Sequence, residues 1–399
     1  MTDAPDAGRR KSWTVVLGAL LAACGGGGTS TPAPSPAPAP SPTPAPAPGP
    51  APQPSPDAKL ELLNWEPGAS VDYQMPILYG RSSSLNKDIG IELAGQSVSA
   101  PVRDGFFKAA VRLKPGSNEL QLKAGSQTAS LTINYVPANN RLKVQMIYVL
   151  AADDDGHFMA PAGEANDIES AKQRIATAAL MMQSATAEMM KKQLRRRVSF
   201  SLLEDAAGNP IVKSLRLAMT KKQLLEKTDL ELYALVEAAL REAKEDVGVK
   251  NVAFMSFTSY DGVKVTGHAA RGSGILGLFG TPNLHAWPTK VDEIAARLLN
   301  DTRVDTRVLP DDSGGGSNRG NYWSNCATGM GAALHELGHT FDLPHTAGGI
   351  MERGFDNFNR LFVIEEPGYA KALTTEEEGG AFWHPSSVDL LLRSDWFNK

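Results

Sequence analysis

The spacing of apolar positions changes character twice along the chain. Between Lys59 and Pro137, short apolar runs are cut by turn signals at Pro67-Gly68, Asn86-Lys87-Asp88, Asp104-Gly105, Pro115-Gly116 and Ala124-Gly125. Within this stretch Ser117 to Lys123 and Ala129 to Tyr135 alternate polar and apolar side chains with period two. A strand built that way turns one face to a core and the other to water, and short strands at this spacing predict a small β-sandwich over residues 58–138. Nothing in it carries a catalytic pattern, so its expected role is structural or docking.

After Pro137 the period lengthens. Val144 to Leu150 is unbroken apolar sequence with β-branched and aromatic members, as in a strand buried on both faces. Asn166 to Lys192 reads as a helix: Ile168, Ala171, Ile175, Ala178, Met182, Ala185 and Met189 recur at three- and four-residue steps, and Asn166 with Glu169 offers a capping box. The methionine pairs 181/182 and 189/190 fall at helical spacing and read as core filler. Val198 to Leu203 is expected to be a second strand, Thr228 to Asp246 a helix opened by Thr228 with Glu231 and closed at Gly248, and Asn251 to Phe257 a third strand. Strand and helix alternating in this way predict an α/β (α+β) domain with a largely parallel sheet over residues 139–399. The basic run Lys191, Lys192, Arg195, Arg196 and Arg197 closes the first helix and complements its dipole.

At the N-terminus neither period holds. Arg9-Arg10-Lys11 precedes an apolar run from Trp13 to Ala23. About 11 apolar residues are too few to span roughly 30 Å of hydrocarbon, so the pattern reads as a secretory signal over residues 1–23. Leu21-Ala22-Ala23-Cys24 resembles the lipobox of bacterial lipoproteins, which implies lipidation at Cys24 and an anchor in the outer membrane of the cell envelope. Residues 24–57 read as a Gly/Pro/Ala-rich disordered tether, with proline at every even position from Pro32 to Pro56; as polyproline II it would reach about 80 Å.

Composition narrows the partners. With 399 residues and a net charge of −4 the chain lacks the strongly basic domain of a nucleic-acid binder. Its two cysteines exclude a disulfide framework and a four-thiolate metal site; with Cys24 lipidated, Cys326 is a lone thiol. Gly272, Gly274, Gly277 and Gly280 fit no phosphate-binding fingerprint, and Asp311 to Asn318 lacks the spaced ligands of a calcium loop and reads as a surface loop.

The chemistry lies in His335-Glu336-Leu337-Gly338-His339-Thr340-Phe341-Asp342-Leu343-Pro344-His345. On a helix beginning near Thr328, His335 and His339 at i and i+4 share one face and can share one Zn²⁺. Pro344 breaks the helix, and a turn back brings His345 up as a third ligand. Three neutral imidazoles leave one position open, as in a catalytic zinc site. Glu336 is then placed to act on a water as general base. The pattern resembles the metzincin metalloproteases, with Gly349-Ile350-Met351 as their methionine-bearing turn. Asp342 stands where the metzincin pattern has Gly; a left-handed backbone there costs an ordinary L-residue about 1–2 kcal/mol and is better tolerated by Asp.

Further stretches resemble the zinc metallopeptidase family of fungi and bacteria: Ile77 to Arg81, Asp104 to Lys108, Leu113 to Asn118, Gln183 to Met190, Leu276 to Gly280, Asn359-Arg360 and Phe382 to His384. This resemblance implies a β-sandwich followed by a metzincin-like catalytic domain, one catalytic Zn²⁺, a protein or peptide substrate, and Met351 as a hydrophobic floor beneath the imidazoles. His384 and Tyr369 are candidate stabilisers of the transition state. Three other readings compete: Glu365 or Glu366 as third ligand, a surface-tethered binding lipoprotein with a vestigial zinc site, and a zinc hydrolase acting on peptidoglycan peptides or glycopeptides.

Overall fold

A computed structural model describes residues 60–83, 88–93, 95–311, 319–375 and 379–398. The signal-like segment, Cys24, the proline-rich tether, the Asn86-Lys87 turn and most of the Asp311 to Asn318 loop lie outside the described residues. Among those described, β1 (Glu61–Leu62), β2 (Ala69–Val71), β3 (Ile77–Arg81), β4 (Ile89–Leu93), β5 (Gln96–Ala100), β6 (Val102–Arg103), β7 (Phe106–Ala110), β8 (Gly116–Ala124) and β9 (Gln127–Tyr135) pair into two sheets, ordered β1-β3-β7-β6 and β2-β9-β8-β4-β5. The expected alternation is present: along β8, Asn118, Leu120, Leu122 and Ala124 are buried between exposed neighbours. Leu78 and Phe107 of one sheet share a core with Ile91, Leu120 and Ile133 of the other. Asp104 and Gly105, with φ of 52° and 80°, supply the two left-handed residues that a two-residue hairpin between β6 and β7 requires.

A second group of elements follows: β10 (Lys143–Leu150), α1 (Ile168–Leu194), β11 (Val212–Arg216), α2 (Lys221–Leu225), α3 (Asp229–Glu242), β12 (Val249–Met255), β13 (Ser259–Tyr260), β14 (Val265–Thr266), β15 (Ala270–Ser273), β16 (Leu276–Gly280), α4 (Ile294–Leu298), α5 (Tyr322–Thr340) and α6 (Pro385–Arg393). Their main sheet runs β11-β10-β12-β16-β15, parallel through the first four strands, with β15 antiparallel to β16 at the edge. Tyr148, Val252, Phe254 and Phe279 point to one face and pack with α1 and α5; Ile147, Val149, Ala253 and Met255 point to the other and pack with α3. Among the described residues no helix is long and apolar enough to cross a membrane.

Several expectations need correction. Val198 to Leu203 is not a ladder strand: it crosses the start of β10 with one bridge, Val144 to Leu202, and two backbone bonds of 2.8 Å. A turn held by Asp205 then doubles the chain back, and β11 takes the place beside β10. The sequence of β11, Val-Lys-Ser-Leu-Arg, is that of a half-exposed edge strand and gives no apolar run. The cap of α1 is Asp167, which accepts from the Ser170 amide at 2.7 Å, while Asn166 donates to Phe158 O instead. Helix α3 opens with the expected Thr228–Glu231 box but ends at Glu242, ahead of the left-handed Lys244.

The two sheet systems are not separate bodies: Pro54–Lys399 forms one compact unit. Helix α1 joins them, for Ala187 belongs to the sandwich core while Ala178 and Met182 face the main sheet. The basic run at its end does more than complement a dipole. Lys191 Nζ and Arg197 Nη2 both donate to Asn64 O, at 2.8 and 2.9 Å, and the Arg197 guanidinium lies 3.4 Å from the Trp65 ring centroid.

Candidate metal centre

Helix α5 starts at Tyr322, six residues before the expected Thr328, because Asn321 and Ser324 form its capping box. Its C-terminal half passes unusually close to the β15–β16 hairpin. A Cβ at Gly272 would fall 2.0 Å from Glu336 O and 2.8 Å from His339 Cβ, and one at Gly277 would fall 3.1 Å from Glu336 C. These glycines, which suit no phosphate loop, let helix and edge strand touch backbone to backbone. The helix stops at Thr340, and Asp342 takes the left-handed conformation, φ 62°, that its place in the motif predicted. That turn lets Leu343 N bond Gly338 O at 3.2 Å and returns His345 toward the helix.

The three imidazoles converge, with a nitrogen of each within 4.8 Å of the others. His335 Nε2 lies 3.1 Å from His339 Nε2 and 3.2 Å from His345 Nε2. His335 Nδ1 donates to Ile350 O at 2.7 Å and His339 Nδ1 to Leu343 O at 2.8 Å. A carbonyl oxygen can only accept, so each Nδ1 carries the proton and each Nε2 presents a lone pair to the common centre. Burial, followed by the neighbouring His339, holds His335 down at about 3; burial also lowers His339. Both rings are therefore neutral at pH 7, as ligation requires.

Facing lone pairs at this distance repel unless a cation lies between them. Tetrahedral coordination with Zn–N bonds of about 2.0–2.1 Å separates ligand nitrogens by about 3.3 Å, close to the spacing found. The donor set thus fits Zn²⁺. Met351 is fully buried beneath the helix, and a Cβ on Gly338 would come within 2.6 Å of its Sδ, so the glycine inside the motif admits the methionine. The Phe355 ring stands 5.4 Å from the His335 ring and walls that side.

Glu336 is 4% exposed, and burial pushes its carboxyl up to about 8 while the Arg271 charge pulls it down. Arg271 is itself held by Asp229, at 2.8 Å. Motif reading missed Arg271 and Phe355, as well as the carbonyls of Ile350 and Leu343. A main-chain carbonyl carries no sequence signal, and Arg271 and Phe355 reach the site only through tertiary packing. Outside the triad, Glu366 is buried in a two-pronged pair with Arg360, 2.9 Å on each side, and accepts from Asn359 at 2.8 Å. Tyr369 lies under the Arg360 guanidinium, 5.3 Å from ring centroid to Cζ, and half-buried His384 caps α6 by accepting from Ser386 N. Glu365 is half-buried. Cys326 is fully buried on α5, where burial pushes its thiol up to about 12.

A mixed sheet with an antiparallel edge strand is thus backed by a helix bearing two imidazoles and a glutamate. The chain belongs to the family described as "Putative peptidase family", whose model matches residues 59–398. In Saccharomyces cerevisiae a protein named as a "putative zinc metalloproteinase" is 25% identical over 346 residues, covering 77% of this chain and 49% of its own length. Its namesake in Schizosaccharomyces pombe is 27% identical over 319 residues, 73% of this chain and 51% of its own. The chain thus spans about half the length of these curated relatives. Among solved structures, wild-type OgpA from Akkermansia muciniphila aligns with a TM-score of 0.40 at 12% identity, covering 65% of this chain and 62% of its own. A catalytically inactive OgpA in complex with an O-glycopeptide aligns at 0.41 and 12%, covering 66% and 63%.

Proposed function

We propose that this chain is a zinc-dependent endopeptidase with a metzincin-like catalytic domain, and that His335, His339 and His345 hold its single Zn²⁺. The observation that carries the reading is the convergence of ring nitrogens whose protons are committed elsewhere, to Ile350 O and Leu343 O. When bound, Zn²⁺ supplies a Lewis acid that polarises a peptide carbonyl and acidifies water. The protein's own part is positional and protolytic. Glu336 stands in a nearly dry wall next to the first ligand, where its carboxylate takes the proton of the attacking water and passes it to the departing amine. Arg271 adds a positive charge that favours the ionised, proton-accepting form. Among the described residues strand β15 pairs with β16 alone, so its outer edge would offer main-chain donors and acceptors to an extended peptide. Met351 fills the space below the helix and keeps the two helical ligands in register.

A peptide-library digest read by mass spectrometry tests this. Zinc-loaded wild type should cleave, and Glu336→Gln should lose cleavage by at least about a thousandfold while retaining about one zinc per chain. Cleavage retained by Glu336→Gln would refute the mechanism. Tyr369 and His384 stand as proposals for the oxyanion stabiliser. A kcat loss with unchanged zinc content in Tyr369→Phe or His384→Gln would identify it, and unchanged kcat in both would remove the pair. Tethering of the enzyme to the bacterial cell envelope through a lipid on Cys24 is a proposal from the signal-like leader. Radiolabelled palmitate should enter wild type and not Cys24→Ser; equal labelling would overturn it.

A further inference from the structure

Beyond the metal ligands, one exposed cation is stacked onto the wall of the site. Arg353 follows the methionine turn by two residues and opens the 3₁₀ segment Arg353–Leu361 that packs on α5. Its guanidinium lies 5.2 Å from the Phe355 ring centroid, and that ring lies 5.4 Å from the ring of His335, the first ligand. The two contacts in series put the guanidinium within about 11 Å of the metal-facing imidazole, a span of about three residues of extended chain. Half of the Arg353 side chain is exposed, 51%, although its base rests on the aromatic wall.

What fixes the guanidinium also leaves part of it free. Asp356 receives Nε at 3.0 Å and Nη2 at 3.1 Å, and the same carboxylate accepts the Thr328 hydroxyl at 2.9 Å. Nη1 has no partner among the described residues, so an oriented pair of N–H donors remains within about 11 Å of the His335 ring. A guanidinium held in this manner loses little side-chain freedom when an anion docks, which favours binding over that of a freely swinging lysine. Glu352, the preceding residue, is exposed, and together with Asp356 it is the acidic neighbour in the same segment against which an incoming anion must compete.

We infer that Arg353 is a specificity-determining residue of this site, receiving through Nη1 a carboxylate of the peptide substrate within about three residues of the scissile bond. The inference rests on the peptidase reading above and names the substrate class, acidic peptides, that it left open. The carboxylate has two sources, an internal Asp or Glu side chain or a free chain terminus; C-terminally amidated peptides with and without an acidic residue separate them from free-acid peptides lacking one.

Two measurements on the full chain form the test. In the first, the library digest is repeated with wild type, Arg353→Gln and Arg353→Glu. Wild type should favour Asp and Glu near the cut, or cuts near a free C-terminus. Arg353→Gln should lose the preference with a rise in KM of about five- to tenfold at little changed kcat, and Arg353→Glu should shift it toward Lys and Arg. In the second, zinc-loaded Glu336→Gln protein, with and without Arg353→Gln, is titrated calorimetrically with an acidic peptide and its neutral amide counterpart. The acidic peptide should bind more tightly, by a margin that shrinks with added salt and vanishes without Arg353. The same cleavage profile in all three digests, or equal affinities for the two peptides, overturns the assignment while leaving the peptidase reading intact. If wild type cleaves nothing, the peptidase reading falls and the titration alone decides whether Arg353 binds carboxylate.

Discussion

Helices α1 and α5 lie on the same face of the same sheet, and they are placed there by different means. Helix α1 is the longer, 27 residues against 19, and its four methionines at 181, 182, 189 and 190 are fully buried. It meets its neighbours through side chains, as a flexible filler between sandwich and sheet. Helix α5 adds to its side-chain packing a set of contacts made where side chains are missing. Gly331 and Gly338 on the helix, with Gly272 and Gly277 on the hairpin, sit where a Cβ would strike Phe355, Met351 or the Glu336 backbone. Backbone thus approaches backbone closely there, and the Nδ1 donors of His335 and His339 are aligned by the carbonyls of Ile350 and Leu343.

Substitutions should separate the two helices sharply. Gly272→Val is expected to cost several kcal/mol, because its branched side chain must displace the backbone of Glu336; denaturant unfolding should show it, together with loss of zinc. A change below about 1 kcal/mol would mean that the contact is not tight. Removing a proposed ligand ranks next. His345→Ala should lower zinc affinity by well over a hundredfold, measured by competition with a chelator, while Glu366→Ala should leave affinity nearly unchanged because Glu366 is engaged by Arg360. The reverse order would restore the glutamate as third ligand.

A third effect depends on pH. His285 is fully buried near the N-terminal half of α5, and burial, with the Arg174 charge adding to it, holds its ring down at about 4. In the unfolded chain it titrates near about 6.5, so the unfolded state binds the extra proton first. Its stability contribution is whole above pH 6.5 and is lost as pH falls through 4, by up to roughly 3 kcal/mol. His285→Phe, which keeps the ring against Tyr322 at 5.1 Å, should flatten the stability curve in that window; an unchanged slope would contradict it. Smaller still, Asp342→Gly should be neutral or stabilising by about 0.5–1 kcal/mol and Asp342→Ala destabilising by about 1 kcal/mol, given φ of 62°. Least of all, Met182→Leu in α1 should shift stability by under about 1.5 kcal/mol, and a larger loss would mean that α1 is placed as tightly as α5.

The same contrast explains what could be read in advance. Period-two strands such as β8 and β9, and the buried run of β10, announce themselves because burial on one face or two leaves a local imprint. The pairing of His335 with His339 was legible because a one-turn step on a helix is local too, and Asp342 because a left-handed turn restricts residue choice. Three features left no local imprint: β11, whose half-exposed position selects no apolar run; the start of α5, set by a polar cap at Asn321; and the carbonyls that orient His335 and His339. The glycines of the β15–β16 hairpin were visible, but their reason lay in α5, about 60 residues away along the chain.

A catalytic metal centre on α5 and a packed cluster of histidines there predict different behaviour. Zinc content and peptide cleavage measured together on wild type and Glu336→Gln separate them most directly. A catalytic centre gives about one tightly held zinc in both proteins, with cleavage in wild type alone. Zinc absent from wild type, or equal cleavage by the two, would contradict it.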